Sequence, residues 1–179
     1  MQIALTGATG FLGREVIRAA TRRGHEVVAF SRDARRVVRT RFGLILGRDG
    51  GALPPMAKLF RCFLGGKIGS GRQWWSWIHV EDAASLLVFA VENLDARGVL
   101  NATAPWPERN ADFTRALGCV LRRPAIMRAP AFALRAILRG FARELLDSRR
   151  VLPGAAADLA FPFRYPQLEP ALRAALGRP

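Results

Sequence analysis

Three glycines near the start of the chain have the spacing of a phosphate-binding turn. Gly7, Gly10 and Gly13 follow the mostly apolar run at 2–5 and open a stretch with helical periodicity. Glycines let a chain turn tightly off a strand and bring its backbone N–H groups against phosphate oxygens, while the helix dipole favours the negative charge. The pattern therefore predicts a site for the pyrophosphate of a dinucleotide. The residues expected to form it are Gly7, Thr9, Gly10, Phe11, Leu12 and Gly13.

The spacing of this motif leaves a second interpretation open. It reads G-x-x-G-x-x-G, whereas the commonest dinucleotide motif is G-x-G-x-x-G, and a lone glycine motif has many chance matches. An ordinary glycine-rich turn is therefore the alternative. The strand pattern before the motif and the helix pattern after it favour the nucleotide-binding interpretation.

A second group of residues bears on which dinucleotide would bind. The β-α-β pattern places Ser31, Arg32 and Asp33 about twenty residues after the glycines, directly after the second strand. At this position an arginine holds a 2′-phosphate, whereas an acidic residue holds the ribose hydroxyls. Ser31 and Arg32 therefore predict NADP as the cofactor, and Asp33 keeps NAD as the alternative.

A segment in the middle of the chain is dense in polar and aromatic side chains that could hold a substrate. Arg72 and Gln73 lie on a predicted loop, where a guanidinium could hold two oxygens of a phosphate or sugar. Trp77 is a candidate stacking surface, although tryptophans at alternate positions of a strand more often pack in a core. For Arg72 the alternative is a solvated turn residue.

His79 is the fourth candidate substrate contact, because the unperturbed pKa of a histidine, near 6.5, suits proton transfer. The alternative is a structural role for His79. Asp82 lies at the beginning of the next predicted helix, where the positive end of the helix dipole stabilises an aspartate. No cluster of metal-ligand residues stands out in the sequence, so no metal is expected.

Length and composition are typical of one compact globular unit. The chain has 179 residues, of which 50% are hydrophobic. No apolar stretch reaches the length of a membrane span and no leader precedes the first strand, so we expect a soluble, cytoplasmic protein. Cys62 and Cys119 are far apart in the sequence and are expected to be buried free thiols.

The formal net charge of +14 raises the question of nucleic-acid binding. Lys58 and Lys67 are the only lysines, so nearly all of the positive charge is arginine, scattered through helical stretches beside alanines. Because no basic tract with aromatic platforms is present, specific nucleic-acid binding is not expected. A general affinity for anionic cofactors and substrates is the expected consequence.

The periodicity alternates between strands and helices and predicts an α/β fold. Gly24 follows the first helix, where a glycine ends a helix easily. The predicted strands are 2–6, 26–30, 42–46 and 99–102, and the predicted helices are 11–23, 56–63, 81–92, 111–121, 131–146 and 168–176.

Several longer motifs resemble the extended short-chain dehydrogenase/reductase superfamily. More narrowly, the chain is similar to the epimerase-like family whose members are labelled cell-division inhibitors or nucleoside-diphosphate-sugar epimerases and end in a small helical domain of unknown function. The resemblance implies a Rossmann-type domain at 1–123 and a helical domain at 124–179. The motifs that carry it are the segments 43–54, 69–73, 77–82, 101–105, 123–125, 144–146, 149–153 and 163–169.

The middle of the nucleotide-binding domain is missing relative to this family. Members have further β-α units after the second strand, each of about 30 residues or more. Here seven residues separate Phe30 from Val38, and a parallel crossover takes a dozen or more. We therefore expect a truncated Rossmann-type fold with an internal deletion near 33–37. The deletion has two explanations, a loss or misjoining in the gene and a minimal variant with a rearranged sheet.

The same gap affects the chemistry that the resemblance implies. The superfamily usually uses a serine and a Tyr-x-x-x-Lys pair to polarise the substrate oxygen, but Tyr165 is the only tyrosine and Glu169 stands four residues after it. The main hypothesis is an NAD(P)-binding epimerase or reductase acting on, or descended from enzymes acting on, a nucleotide sugar or small carbonyl compound. A noncatalytic nucleotide-binding or partner-binding remnant is the second hypothesis. An unstable chain that binds nothing is the third.

Overall fold

The computed structural model describes residues 2–4, 10–23, 26–28, 38–129 and 148–178. Strands and helices alternate along them, as the periodicity predicts. The strands are β1 (Gln2–Ala4), β2 (Glu26–Val28), β3 (Val38–Phe42), β4 (Leu44–Leu46), β5 (Gly66–Ile68), β6 (Trp74–Trp75), β7 (Trp77–His79), β8 (Gly98–Ala102), β9 (Glu108–Arg109) and β10 (Met127–Ala129). The helices are α1 (Phe11–Arg22), α2 (Leu53–Arg61), α3 (Val80–Glu92), α4 (Asn110–Leu121), α5 (Gly154–Asp158) and α6 (Leu168–Leu176).

The strands pair mostly in parallel. β1 pairs with β2, β3 with β8, β4 with β7 and β5 with β10, all in parallel, while β6 and β9 form a short antiparallel pair. Parallel neighbours need crossovers, and a helix supplies one here, α1 between β1 and β2. This arrangement confirms the α/β prediction.

Gly43 is the point where one extended segment changes partner, from β8 to β7. Its backbone N–H donates to Ala102 at 3.1 Å, and the next N–H, of Leu44, donates to the carbonyl of Ser76 at 2.8 Å. A Cβ at position 43 would lie 2.5 Å from that same carbonyl oxygen. The close approach of two backbones therefore requires a glycine, and it divides the predicted strand 42–46 into β3 and β4.

Helices α1 and α3 pack together through small and β-branched side chains. Val16 and Ala20 of α1 meet Ala84 and Val88 of α3 in one buried cluster. A salt bridge of 2.9 Å joins Arg23 to Glu92 at one end of this pair. These contacts fix the direction of α1, and with it the position of the helix start that follows the glycine motif.

The main core lies on the other side of β4 and β7. The side chains of Leu46 and Trp77 are fully buried there with Phe113 and Leu117 of α4 and Leu172 of α6. Helix α6 thus shares a core with residues of the predicted first domain. The boundary after residue 123 stays a prediction.

Three further expectations can be compared with the described residues. Cys62 and Cys119 are free, as expected, but they are exposed, because they lie on the outer faces of α2 and α4, so the prediction of buried thiols is wrong. Among the described helices, none is long and apolar enough to cross a membrane. The predicted helix 131–146 lies outside the described residues.

Candidate functional site

The start of α1 is the described part of the predicted dinucleotide turn. Gly10 is exposed and its carbonyl accepts the N–H of Arg14 at 3.1 Å, which closes the first turn of the helix. Phe11, Leu12 and Gly13 are half-buried residues of that first turn. Gly7, Thr9, Ser31 and Arg32, also predicted to bind the cofactor, lie outside the described residues.

The ring of Phe11 packs against the glycine-rich loop that follows β4. An ideal Cβ at Gly50 would lie 2.6 Å from Cγ of Phe11, and one at Gly47 would overlap the far end of the same ring. The loop turns back on β4, because the N–H of Ala52 donates to the carbonyl of Ile45 at 3.2 Å. Glycines at 47 and 50 therefore leave the space that the ring fills, and the loop and the start of α1 form one packed unit.

The segment 74–82 leads through β6 and β7 into α3, and its polar residues hold the C-terminal part of the chain. The buried carboxylate of Asp82 accepts the backbone N–H groups of Arg164 and Tyr165, both at 2.9 Å. A salt bridge of 2.8 Å between Glu81 and the guanidinium of Arg164 lies beside them. Burial, the largest influence, raises the pKa of Asp82, whereas the two backbone hydrogen bonds lower it.

His79 caps α3 and is almost completely buried. Its Nδ1 accepts the backbone N–H of Glu81 at 3.2 Å, so the ring proton of the neutral form is on Nε2. Burial lowers the pKa of His79 to about 4; the nearby Glu81 raises it and Arg164 lowers it further. At neutral pH the ring is therefore uncharged, and it has the structural role that was the alternative interpretation.

Tyr165, the chain's only tyrosine, packs on this histidine. The centroids of the two rings lie 4.1 Å apart, at an interplanar angle of 46°. Because Asp82 holds its backbone and the His79 ring covers its side chain, Tyr165 is fixed as a packing residue of the C-terminal segment. This position agrees with the missing Tyr-x-x-x-Lys arrangement.

The remaining candidate substrate contacts are placed differently from one another. Arg72 is exposed, and its carbonyl accepts a hydrogen bond from the guanidinium of Arg109. The side chain of Gln73 is buried and donates to the carbonyl of Ile68 at 3.0 Å. Trp77 is fully buried, with its indole N–H donating to the carbonyl of Trp106 at 3.0 Å. Contact of Arg72, Gln73, Trp77 and His79 with a substrate stays a prediction.

An open pocket of about 510 Å³ lies at the N-terminal end of β4 and β7, and we call it the arginine pocket. The candidate substrate residues do not line it, although their neighbours Trp74, Trp75 and Ser76 do. Sequence reasoning missed the arginines of this pocket, because Arg41 is far along the chain from Arg149 and Arg150. Its lining residues are Arg41, Phe42, Gly43, Leu44, Trp74, Trp75, Ser76, Asn101, Thr103, Arg149, Arg150, Val151 and Leu152.

Two known protein families match the N-terminal and the C-terminal parts of the chain. Residues 3–46 match the NAD dependent epimerase/dehydratase family, and residues 129–175 match a domain of unknown function, DUF1731. The epimerase family protein SDR39U1 homolog, chloroplastic, from Arabidopsis thaliana is 46% identical over 139 residues, which are 78% of this chain. By sequence the chain is therefore similar to proteins of this epimerase family. It spans 40% of the length of that plant relative.

Solved structures of epimerase-family proteins share the fold. The crystal structure of human epimerase family protein SDR39U1 (isoform2) with NADPH superposes with a TM-score of 0.91, at 22% identity, over 99% of both chains. The nucleoside-diphosphate sugar epimerase from Corynebacterium glutamicum has a TM-score of 0.62 and 32% identity over 79% of this chain and 26% of its own. The match over 99% of both chains confirms the predicted fold. It also shows that a solved chain of similar length has this fold.

Proposed function

We propose that this chain binds a nicotinamide dinucleotide at its glycine turn, with its pyrophosphate against the start of α1. The observation that carries the proposal is the contact of Phe11 with the loop 47–51. This contact fixes the start of α1 against the loop, and the backbone N–H groups at a helix start, with the positive end of its dipole, attract the negative charge of a phosphate. The match of residues 3–46 to the NAD dependent family supports the same function.

The dinucleotide that we propose is NADP, held at its 2′-phosphate by Ser31 and Arg32. Both residues follow the second strand in the sequence, where a 2′-phosphate is bound in related folds. The human relative was solved with NADPH, and the net charge of +14 favours a ligand with an additional phosphate. NAD, held by Asp33, is the alternative.

Isothermal titration of the chain with NADPH and with NADH tests this proposal. We expect NADPH to bind at least about tenfold more tightly, and we expect Arg32→Gln to remove most of that preference while leaving NADH affinity unchanged. Asp33→Asn is the matched variant and should leave NADPH affinity unchanged. Equal affinity for the two dinucleotides would contradict the role of Arg32, and no binding of either would contradict the site.

We propose a small carbonyl compound or a nucleotide sugar as the substrate class of an active form, and we propose a cytoplasmic location.

A second candidate function is dinucleotide binding without turnover. It is favoured by the low pKa of His79, about 4, because the neutral ring is not a ready proton donor, and by the packing of Tyr165 against that ring in the C-terminal segment. Spectrophotometry of NADPH oxidation with a panel of nucleotide sugars and carbonyl compounds separates the two functions: oxidation would eliminate the second.

A further inference from the structure

The arginine pocket has a lining that is positively charged among the residues the structure describes. Arg41 reaches it from β3, and Arg149 and Arg150 reach it from the segment before α5, while neither aspartate nor glutamate belongs to its described lining. An open pocket with several cations and no carboxylate attracts anions, because the field of one sign is concentrated in a cleft with low-dielectric walls.

The side chain of Arg150 is held by Trp74, a ring that also contacts Arg109 from outside the pocket lining. The guanidinium of Arg150 lies 5.0 Å from the centre of the Trp74 ring, and that of Arg109 lies 4.3 Å from the same ring. Cation–π contacts of this kind restrict the guanidinium without neutralising its charge. The N–H groups of Arg150 thus remain chemically able to bind oxygens of a ligand.

The backbone that carries Arg149 and Arg150 is fixed to the floor of the pocket. The hydroxyl of Ser76 donates to the carbonyl of Arg149 at 2.9 Å and accepts the N–H of Val151 at 2.8 Å. Thr103 donates to the carbonyl of Val151 at 3.3 Å. Ser76 and Thr103 are buried, so these bonds are protected from water, and binding of a ligand would not have to order this segment.

We infer that the arginine pocket is a binding site for a small phosphate-bearing molecule, held chiefly by Arg41 and Arg150. Guanidinium groups bind phosphate oxygens in a bidentate manner, which a lone lysine does not. The volume of about 510 Å³ falls within the usual range of roughly 300–1,000 Å³ for small-molecule sites. Inorganic pyrophosphate is the simplest probe of this chemistry.

The pocket is separate from the proposed dinucleotide site. Leu44 lines it, whereas Gly47 touches Phe11 at the start of α1, so the two sites lie about 10 Å apart along one strand direction. A molecule in the pocket could therefore be bound together with a dinucleotide. The inference uses the proposed function only in assuming that NADPH occupies the glycine turn during the test.

Titration with inorganic pyrophosphate, followed by calorimetry at constant ionic strength, tests the inference. Saturating NADPH is present so that the glycine turn is not available to the probe. We expect one pyrophosphate per chain, with affinity lowered about tenfold or more in the double variant Arg41→Gln/Arg150→Gln. The control is Arg115→Gln, which removes one exposed charge from α4, outside the pocket lining, just as Arg41→Gln or Arg150→Gln alone removes one, and it should change the affinity less than about twofold.

Three outcomes would overturn the inference. The first is no binding of pyrophosphate by the unaltered chain. The second is equal affinity in the double variant and the unaltered chain, since binding would then be elsewhere. The third is a loss of the same size in Arg115→Gln, which would indicate attraction by net charge alone. If NADPH itself fails to bind, the proposed function fails, but the pyrophosphate titration without NADPH still tests the pocket through the same variants.

Discussion

The C-terminal ends of β4 and β7 are closed by packed groups, whereas their N-terminal ends open onto the arginine pocket. At the closed end, Gly47 and Gly50 admit the ring of Phe11, and His79 and Asp82 are buried with hydrogen-bonded partners. At the open end, long charged side chains line about 510 Å³ of accessible space. The comparison teaches that the closed end is sensitive to added atoms and charges, while the open end tolerates change and is suited to a ligand.

The largest effect that we expect at the closed end comes from protonation of His79. Its folded pKa of about 4 lies below the ordinary value of 6.5, so the unfolded chain binds the proton more tightly. Above pH 6.5 the neutral ring makes its full contribution to the free energy of unfolding. This contribution is lost as the pH falls towards 4, and the free energy of unfolding decreases by about 3 kcal/mol in total.

Urea unfolding of the chain and of His79→Gln from pH 7.5 to 4.5 measures this contribution. The difference between the two free energies of unfolding should shrink as the pH falls, because glutamine does not titrate. Taking the difference cancels the opposite contribution of Asp82, whose raised pKa disfavours the folded state as the pH rises. A difference that is constant with pH would refute the burial of a neutral histidine as the cause.

Adding one methyl group at the closed end is expected to have the next largest effect. In Gly50→Ala the new Cβ would lie 2.6 Å from Cγ of Phe11, near the base of the side chain, so the ring cannot simply swing aside. Overpacking of this kind costs about 1–3 kcal/mol. Because Phe11 starts α1, NADPH affinity should fall about tenfold as well.

Calorimetry with NADPH and thermal unfolding of Gly50→Ala test this expectation. The matched control is Gly154→Ala, since a Cβ at position 154 would meet open space. The double variant Phe11→Ala/Gly50→Ala should recover part of the lost affinity, because alanine has no Cγ at the position that the methyl would meet. Unchanged affinity in Gly50→Ala would show that the loop does not position the turn.

A smaller effect is expected for Asp82→Asn. The asparagine oxygen can still accept one of the two backbone N–H groups, and removing a buried charge offsets part of the loss, so the free energy of unfolding should fall by about 1 kcal/mol. Arg164→Gln removes the exposed ion pair with Glu81 and a cation–π contact at 5.4 Å from the Tyr165 ring, and it should cost less than about 0.5 kcal/mol. Urea unfolding at pH 7 measures the free energy of unfolding of both variants. A larger loss in Arg164→Gln than in Asp82→Asn would show that the contacts of the guanidinium, and not Asp82, hold the segment at Arg164 and Tyr165.

The smallest effect on stability is expected at the open end. Arg41→Gln and Arg150→Gln alter exposed side chains, so each should change the free energy of unfolding by less than about 0.5 kcal/mol. Thermal unfolding of both variants without ligand measures this change. A loss of about 2 kcal/mol in either would mean that the arginines support the fold and would remove the contrast between the two ends.

Local sequence patterns predicted much of the fold and the segments that carry the candidate sites. The bounds of α3 and α6 were predicted to within one residue, because a capping residue or a clear apolar stripe marks each of them. The short strands β5, β6, β9 and β10 were not predicted, since two or three residues show no periodicity of their own. The hydrogen bond of His79 to the start of α3 is the structural alternative predicted for it, whereas Asp82 accepts the backbone N–H groups of Arg164 and Tyr165, which the sequence did not predict.

The sequence by itself determined the α/β class and the resemblance to the epimerase family, and it predicts the glycine turn, because these depend on residues that are close together along the chain. Only the tertiary structure decided that Phe11 packs on Gly47 and Gly50, and that Arg41 shares a pocket with Arg150. The physical reason is that these contacts join elements dozens of residues or more apart. Periodicity records which face of an element is buried, whereas the partner of that face is selected by packing in the folded chain.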